Sequence, residues 1–297
     1  MSHPGTVARV AARLAAAGVE PARAEARWLV EHALASPPAA DGAAPLEELV
    51  RRRAAHEPLQ LLLGRWPFRG VELTLEPGVF LPRPETEIVA GLAIEHAAAA
   101  GPGALVAEPC TGSGAIAASL LAEVPGAEVH ATDIDPRAVD LARRNLAAVA
   151  AAGRFAVLHG DLLDPLPREL CGRLDVLVAN PPYLPASDVD HLDAEVALHD
   201  PHAALFAGAQ GHEIVDRLLE LAAVWLRPAG VVVLEIDARL GQAALAAAAR
   251  AGLATGELVR DLTGRHRVLV ARQPDTAEAL PCPPRAGTAD RRAEAGS

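Results

Sequence analysis

Lysine is absent from this chain, aromatics make up 3% of its 297 residues, and cysteine occurs three times. Cys110, Cys171 and Cys282 are odd in number, far apart and without a C-x-x-C pair. That excludes a disulfide framework and the paired thiolates of a structural zinc site, and it fits a reducing cytosol. No run approaches the roughly 18 apolar residues of a membrane span. The amino terminus, MSHPGTVARV, lacks the charged-then-apolar order of a signal peptide. The expectation is a soluble, cytoplasmic protein with no membrane partner. Cations are scarce as well. A formal net charge of −11 repels polyanions, and few aromatics are available to stack on bases, so no direct nucleic-acid partner is expected. The arginines are scattered among abundant alanines, which reads as compositional bias of the genome.

What is present is ample apolar material. A hydrophobic fraction of 51% suffices for one large domain and a smaller one. From Thr6 to His56 apolar residues recur at helical spacing (Val7, Val10, Leu14; Ala24, Trp28, Leu29; Leu46, Leu49, Val50), predicting a small helical domain. Its Arg51-Arg52-Arg53 run reads as a solvated helix face. Residues 57–81 predict a short hairpin or extended linker. Strands are then predicted near Ala104–Glu108, Glu128–Asp133, Arg154–His159, Leu174–Asn180, Gly230–Ile236, Ala254–Arg260 and His266–Ala271, with helices between most of them, such as Ala115–Glu123 and Pro136–Ala150. Strands alternating with helices predict a doubly wound, largely parallel α/β sheet that binds ligands beyond its carboxyl strand ends. The division is 1–75 helical domain and linker, 76–272 sheet domain, and 273–297 a disordered tail without apolar period.

Four strand ends carry the chemistry. The first runs into AEPCTGSGAIAAS, a glycine-rich turn opening a helix, where Gly112 and Gly114 let backbone approach a ligand. Gly112, Gly114 and Ala117 also satisfy G-x-G-x-x-A, so a nucleotide-dependent oxidoreductase stays open here. The second ends at Asp133, whose carboxylate can accept both hydrogen bonds of a ribose diol; Asp135 then caps a helix that has Pro136 at its first position. Asp161, after the third strand, reads either as a contact to an adenine amino group or as a turn acid.

The fourth ends in VLVANPPYLP. Hydride transfer leaves Asn180-Pro181-Pro182-Tyr183 idle, whereas methyl transfer to a planar nitrogen uses it. An amide or exocyclic NH₂ is a poor nucleophile that positioning can help: the Asn180 side-chain oxygen takes one N–H and the Pro181 carbonyl the other. The prolines stiffen the corner, and Tyr183 offers a flat face. His191, Glu195, His199 and His202 could share a helix face and bind a metal; methyl transfer needs none, and no metal is expected.

These motifs resemble the class I S-adenosylmethionine-dependent methyltransferases, and more narrowly the HemK-type release factor glutamine methyltransferases. RRRAAHEPLQLLLG, GVFLPRPETE, CTGSGAIA, TDIDPRAVDLARRN, NPPYLP, HDPHAALFAG and VVLEI carry the resemblance. It implies a seven-stranded methyltransferase sheet, S-adenosylmethionine as cofactor, and a peptide chain release factor as protein substrate, methylated on the glutamine of its Gly-Gly-Gln loop. Thr111, Gly112, Ser113 and Gly114 would wrap the cofactor, with Glu108, Cys110 and Asn180 also touching it, Asp133 hold its ribose, Asp161 and Leu162 border its adenine, and Asn180 to Tyr183 grip the glutamine. The segment Phe80 to Glu87, with Arg83, would shape the pocket. Glu108 and Pro109 stand where the family usually has Asp and Leu, and Cys110 where it usually has Gly, so the methionine end is expected to differ. Alternatives are a ribosomal-protein glutamine methyltransferase, which shares the chemistry, and a nucleic-acid exocyclic-amine methyltransferase, which shares the tetrapeptide.

Overall fold

Apolar periodicity builds the amino-terminal layer of the computed structural model, which describes residues 4–35, 45–276 and 282. Helices α1 (Pro4–Ala16), α2 (Ala22–Ala35), α3 (Pro45–Ala54) and α4 (Leu59–Leu63) turn Val10, Leu14, Leu29, Val30, Val50 and Leu62 onto one another. Burying each such side chain stabilises by about 1.5–3 kcal/mol. Trp66 meets Trp28 edge-on at 4.9 Å, joining this cluster to a hairpin of β1 (Arg65–Phe68) and β2 (Val71–Thr74). The hairpin lies within the 57–81 segment for which a hairpin or linker is expected, with RWPF as its first strand and VELT as its second.

Of the three consecutive arginines, only Arg51 matches the solvated face expected. A helix advances about 100° per residue, so neighbours point different ways. Arg51 is exposed and paired with Glu48; Arg52 is half-buried and paired with Glu57. Arg53 is 6% exposed and bridges Glu25 and Glu195, the latter at 3.0 Å.

The remaining chain alternates strand and helix: α5 (Thr86–Ala100), β3 (Leu105–Pro109), α6 (Ala115–Glu123), β4 (Glu128–Asp133), α7 (Pro136–Val149), β5 (Phe155–His159), β6 (Leu174–Ala179), β7 (Leu184–Pro185), α8 (Ala194–His199), α9 (His202–Leu205), β8 (Phe206–Gly208), α10 (Glu213–Trp225), β9 (Leu226–Glu235), α11 (Gly241–Arg250), β10 (Ala254–Arg260) and β11 (His266–Arg272). Asp135 caps α7, its side chain accepting from the Arg137 N–H. Seven strands form one sheet in the order β10-β11-β9-β6-β3-β4-β5. Within it, among the described residues, β11 alone runs against its neighbours, pairing antiparallel with β9 and β10.

Both faces of this sheet are covered, which is why its strands read as unbroken apolar runs. Val176, Val178, Val231 and Val233 face the layer of α5, α6 and α7. Their neighbours Leu177, Ala179, Val232 and Leu234 face α10 and α11. The chain runs from β3 outward through β4 to β5, then returns to β6 on β3's other side. That reversal leaves a crevice at the carboxyl ends of β3 and β6, where doubly wound folds bind ligands.

Among the described residues no helix is long and apolar enough to cross a membrane. The tail expected over 273–297 lies outside the described residues except for 273–276 and 282. Gln273 is buried, donating its backbone N–H to Gly230 and its Nε2 to the Ala223 carbonyl.

Candidate active site

A cavity of about 400 Å³ opens at this reversal. Glu108, Cys110, Thr111, Gly112 and Ser113 from the β3–α6 turn line it, as do Asp133, Asp161, Leu162, Asn180, Pro182 and Phe80. Gly114, Pro181, Tyr183, Arg83 and Glu87 do not.

The β3–α6 turn is built on left-handed backbone, with φ of 58° at Cys110, 56° at Gly112 and 80° at Gly114. The two glycines differ in what they permit. A Cβ on Gly112 would meet nothing within 4 Å, leaving backbone open to the cavity, whereas one on Gly114 would meet Leu146 Cδ1 at 2.7 Å and Ala142 Cβ at 3.2 Å in α7. Cys110 takes a left-handed conformation that favours glycine. Burial pushes its thiol pKa up, so it stays protonated and packs rather than attacks.

Glu108, next to last in β3, lies under this turn and is 2% exposed. It accepts from Thr111 Oγ1 at 2.8 Å and from the Ala117 N–H at 3.0 Å. Desolvation outweighs these bonds and raises its carboxyl from 4.5 to about 8. Asn145, buried in α7, holds the turn from behind, donating to the Ser113 carbonyl at 2.8 Å and pairing with the Thr74 backbone.

Asp133 accepts the Gly112 N–H at 2.8 Å and the Asp135 N–H at 2.9 Å, one on each oxygen. A carboxylate has about four lone-pair sites, so two remain for a diol. Burial raises its pKa. Asp161 is already paired, accepting from Arg217 at 2.6 Å in an ion pair that is nearly half exposed on both sides. Leu162 beside it is buried at φ 45°, its carbonyl accepting from Thr132 Oγ1.

β6 ends at Ala179, so Asn180 is the first residue beyond the strand. Its Nδ2 donates to Thr86 Oγ1 at 3.0 Å, and Thr86 Oγ1 donates to Glu235 Oε2 at 2.7 Å. Tyr183 turns from the cavity toward the same carboxylate: its hydroxyl donates to Glu235 at 3.2 Å and accepts from Arg267 at 2.8 Å, with that guanidinium 5.1 Å from the ring centroid. Sequence reasoning held Thr86 only within the Phe80–Glu87 segment and Glu235 only within VVLEI, and gave neither a role of its own. The available signal was a carboxylate ending an unbroken apolar run, VVVLE, which is a costly thing to bury without partners.

The segment before α5 is fastened to the far wall. Arg83 pairs with buried Asp200 and lies over the Phe80 ring at 5.3 Å, while Glu87 faces Arg69. The histidine-bearing stretch is no single helix: a 3₁₀ turn, α8 and α9 divide it, with Pro201 between the last two. Glu195 meets Arg53 and His202 packs edge-on against Phe206, so these two groups are engaged elsewhere.

The arrangement sets an acceptor-lined crevice beside the Asn180 corner. Residues 71–210 match the Methyltransferase small domain family, and residues 6–64 match the PrmC N-terminal domain family. The release factor glutamine methyltransferase of Streptomyces coelicolor is 40% identical over 280 residues, covering 90% of this chain and 96% of that one. Its counterpart from Corynebacterium glutamicum is 37% identical over 271 residues, covering 88% and 95%. Among solved structures, a methyltransferase from Pyrococcus furiosus superposes with a TM-score of 0.52 at 20% identity, over 69% of this chain and 90% of that one. That likeness concerns the fold.

Proposed function

Because the chain belongs to the release factor glutamine methyltransferase family, we propose that it methylates the side-chain nitrogen of the glutamine in the Gly-Gly-Gln loop of a peptide chain release factor, using S-adenosylmethionine. The observation that carries this reading is that Asn180 shares one cavity with Asp133 and the Glu108–Ser113 turn. Amide grip and cofactor cradle are thereby within reach of each other.

The residues present fit the cofactor. Gly112 leaves open space, Asp133 keeps free acceptor sites at a strand end, and Glu108 is a buried carboxyl facing a site that a cationic ligand would suit. Bound S-adenosylmethionine supplies the electrophilic sulfonium methyl. The chain supplies alignment. Asn180 Oδ1 would accept one N–H of the substrate amide and hold its nitrogen toward the cavity shared with the cofactor cradle, whereas Pro181, which does not line that cavity, would act by stiffening the corner. Once methylated, the amide nitrogen would be acidic, and its proton would leave to water. Arg83 with Asp200, and Arg53 with Glu195, brace the loop following the tetrapeptide, where a protein substrate would arrive.

Glu108 makes cofactor affinity pH-dependent. Its carboxyl is protonated below about 8, whereas a bound cation favours the carboxylate, so binding releases a proton. Affinity for S-adenosylmethionine should rise with pH up to about 8, by at most about tenfold per unit, and Glu108→Gln should flatten the slope. Titration calorimetry at several pH values reads this directly. Without ligand the sign reverses for folding. The unfolded chain gives up this proton near 4.5, so the contribution of Glu108 is fully present below that pH and is lost as pH rises through about 8.

The deciding experiment incubates the protein with tritiated S-adenosylmethionine and purified release factor, beside a release factor whose loop glutamine is replaced. Label is expected on the first alone. Label on both, or on neither, would overturn the proposal; label on a ribosomal protein alone would move the same chemistry to that substrate.

A further inference from the structure

Asn180 is itself an amide, and this raises a problem of orientation. A half-turn about its last torsion exchanges oxygen for NH₂ at almost no change in shape. Only the oxygen can accept from a substrate NH₂; the reversed amide would set donor against donor. Some group must choose between the two.

The choice is made by a chain of hydrogen bonds with a fixed direction. Three donors surround Glu235, which ends β9 and is 1% exposed: Thr86 Oγ1 at 2.7 Å, Tyr183 Oη at 3.2 Å and Arg267 at 3.5 Å. Burial raises the pKa of this carboxyl, but Arg267 and the Tyr183 hydroxyl converge on Oε1, and Oε2 accepts from Thr86. Thr86 has one hydroxyl proton, and Glu235 receives it. Only lone pairs of Thr86 then remain for Asn180, 3.0 Å away, so the Asn180 nitrogen must face Thr86 and its oxygen must face the other way. Thr86 begins α5 and Glu235 ends β9, so two separate elements meet behind one corner.

We propose that Thr86 and Glu235 are positioning residues for methyl transfer, setting the direction of the hydrogen bond that the Asn180 amide offers to the substrate nitrogen. The proposal rests on the function given above. It differs from a merely structural role, in which the same bonds only pin α5 to β9, because it requires the direction of the bonds and not just their presence.

Thr86→Val keeps the shape and removes the hydroxyl, while Thr86→Ser keeps the hydroxyl. With release factor as substrate, Thr86→Val should lower kcat by about 30-fold or more, leaving S-adenosylhomocysteine affinity within about twofold, and Thr86→Ser should restore kcat to within about threefold of the unaltered enzyme. Glu235→Gln, which can donate or accept toward Thr86, should lower kcat about tenfold with the same ligand affinity. It serves as the second reading if Thr86→Val does not fold. Retention of kcat by Thr86→Val or by Glu235→Gln, under conditions where Asn180→Ala has lost it, would overturn the inference; so would a Thr86→Ser enzyme as slow as Thr86→Val. An unaltered enzyme that leaves the release factor unlabelled removes the function itself, and this inference with it.

Discussion

Asn180→Ala is expected to cut turnover on release factor by about two to three orders of magnitude, with S-adenosylhomocysteine affinity changed by less than about threefold. The size follows from what the side chain does. An amide nitrogen has its lone pair delocalised, so the enzyme gains most by holding it in line, and one preorganised hydrogen bond in a water-poor site contributes about 3–4 kcal/mol to such alignment. Affinity is spared because the cofactor's polar contacts are assigned to other residues: Asp133 at the end of β4 and the turn between β3 and α6. Single-turnover rates beside calorimetric affinity separate the two effects. Turnover near that of the unaltered enzyme would dissociate Asn180 from the chemistry.

Gly114→Ala is expected to lower the stability of the fold by about 3 kcal/mol, whereas Gly112→Ala should cost about 1 kcal/mol. Both glycines have positive φ, 80° and 56°, so each substitution pays the left-handed penalty. Only at Gly114 does the new methyl also collide, with Leu146 Cδ1 at 2.7 Å and with Ala142 Cβ at 3.2 Å and Cα at 3.3 Å. Leu146 can rotate, but the Ala142 backbone belongs to a helix packed on the sheet and cannot yield cheaply. Urea unfolding of the two variants measures the difference. Equal losses would show that α7 gives way.

These residues also show where sequence is transparent. Strands β3, β4, β6 and β9 were legible because burial on both faces makes them apolar throughout, and the helix Ala115–Glu123 because a glycine turn opens it. Asp135 was readable as a cap because capping is local. Interactions that depend on distant chain segments were not readable. Arg53 meets Glu25, 28 residues earlier, and Glu195, 142 residues later, and nothing in a run of three arginines says which one points inward. The same holds for Tyr183. Asn-Pro-Pro-Tyr suggests a ring stacked on substrate, yet the ring is drawn to Arg267 and Glu235 by partners on two other strands. Asp161 reads as an adenine contact or a turn acid, and neither reading foresees Arg217, which α10 brings beside it. The helix expected through His199 and His202 is a different case, because Pro201, which divides it, is a local signal present in the sequence.

The reversal of β11 has a practical side. Running against β9, it carries the chain to Gln273 beside Gly230, at the rim of the sheet farthest from the opening. A strand of five or six residues at about 3.3 Å each puts roughly 20 Å between that rim and the reacting atoms. An enzyme tethered to a surface through this side would keep its mouth turned outward, free to receive a partner as bulky as a folded protein.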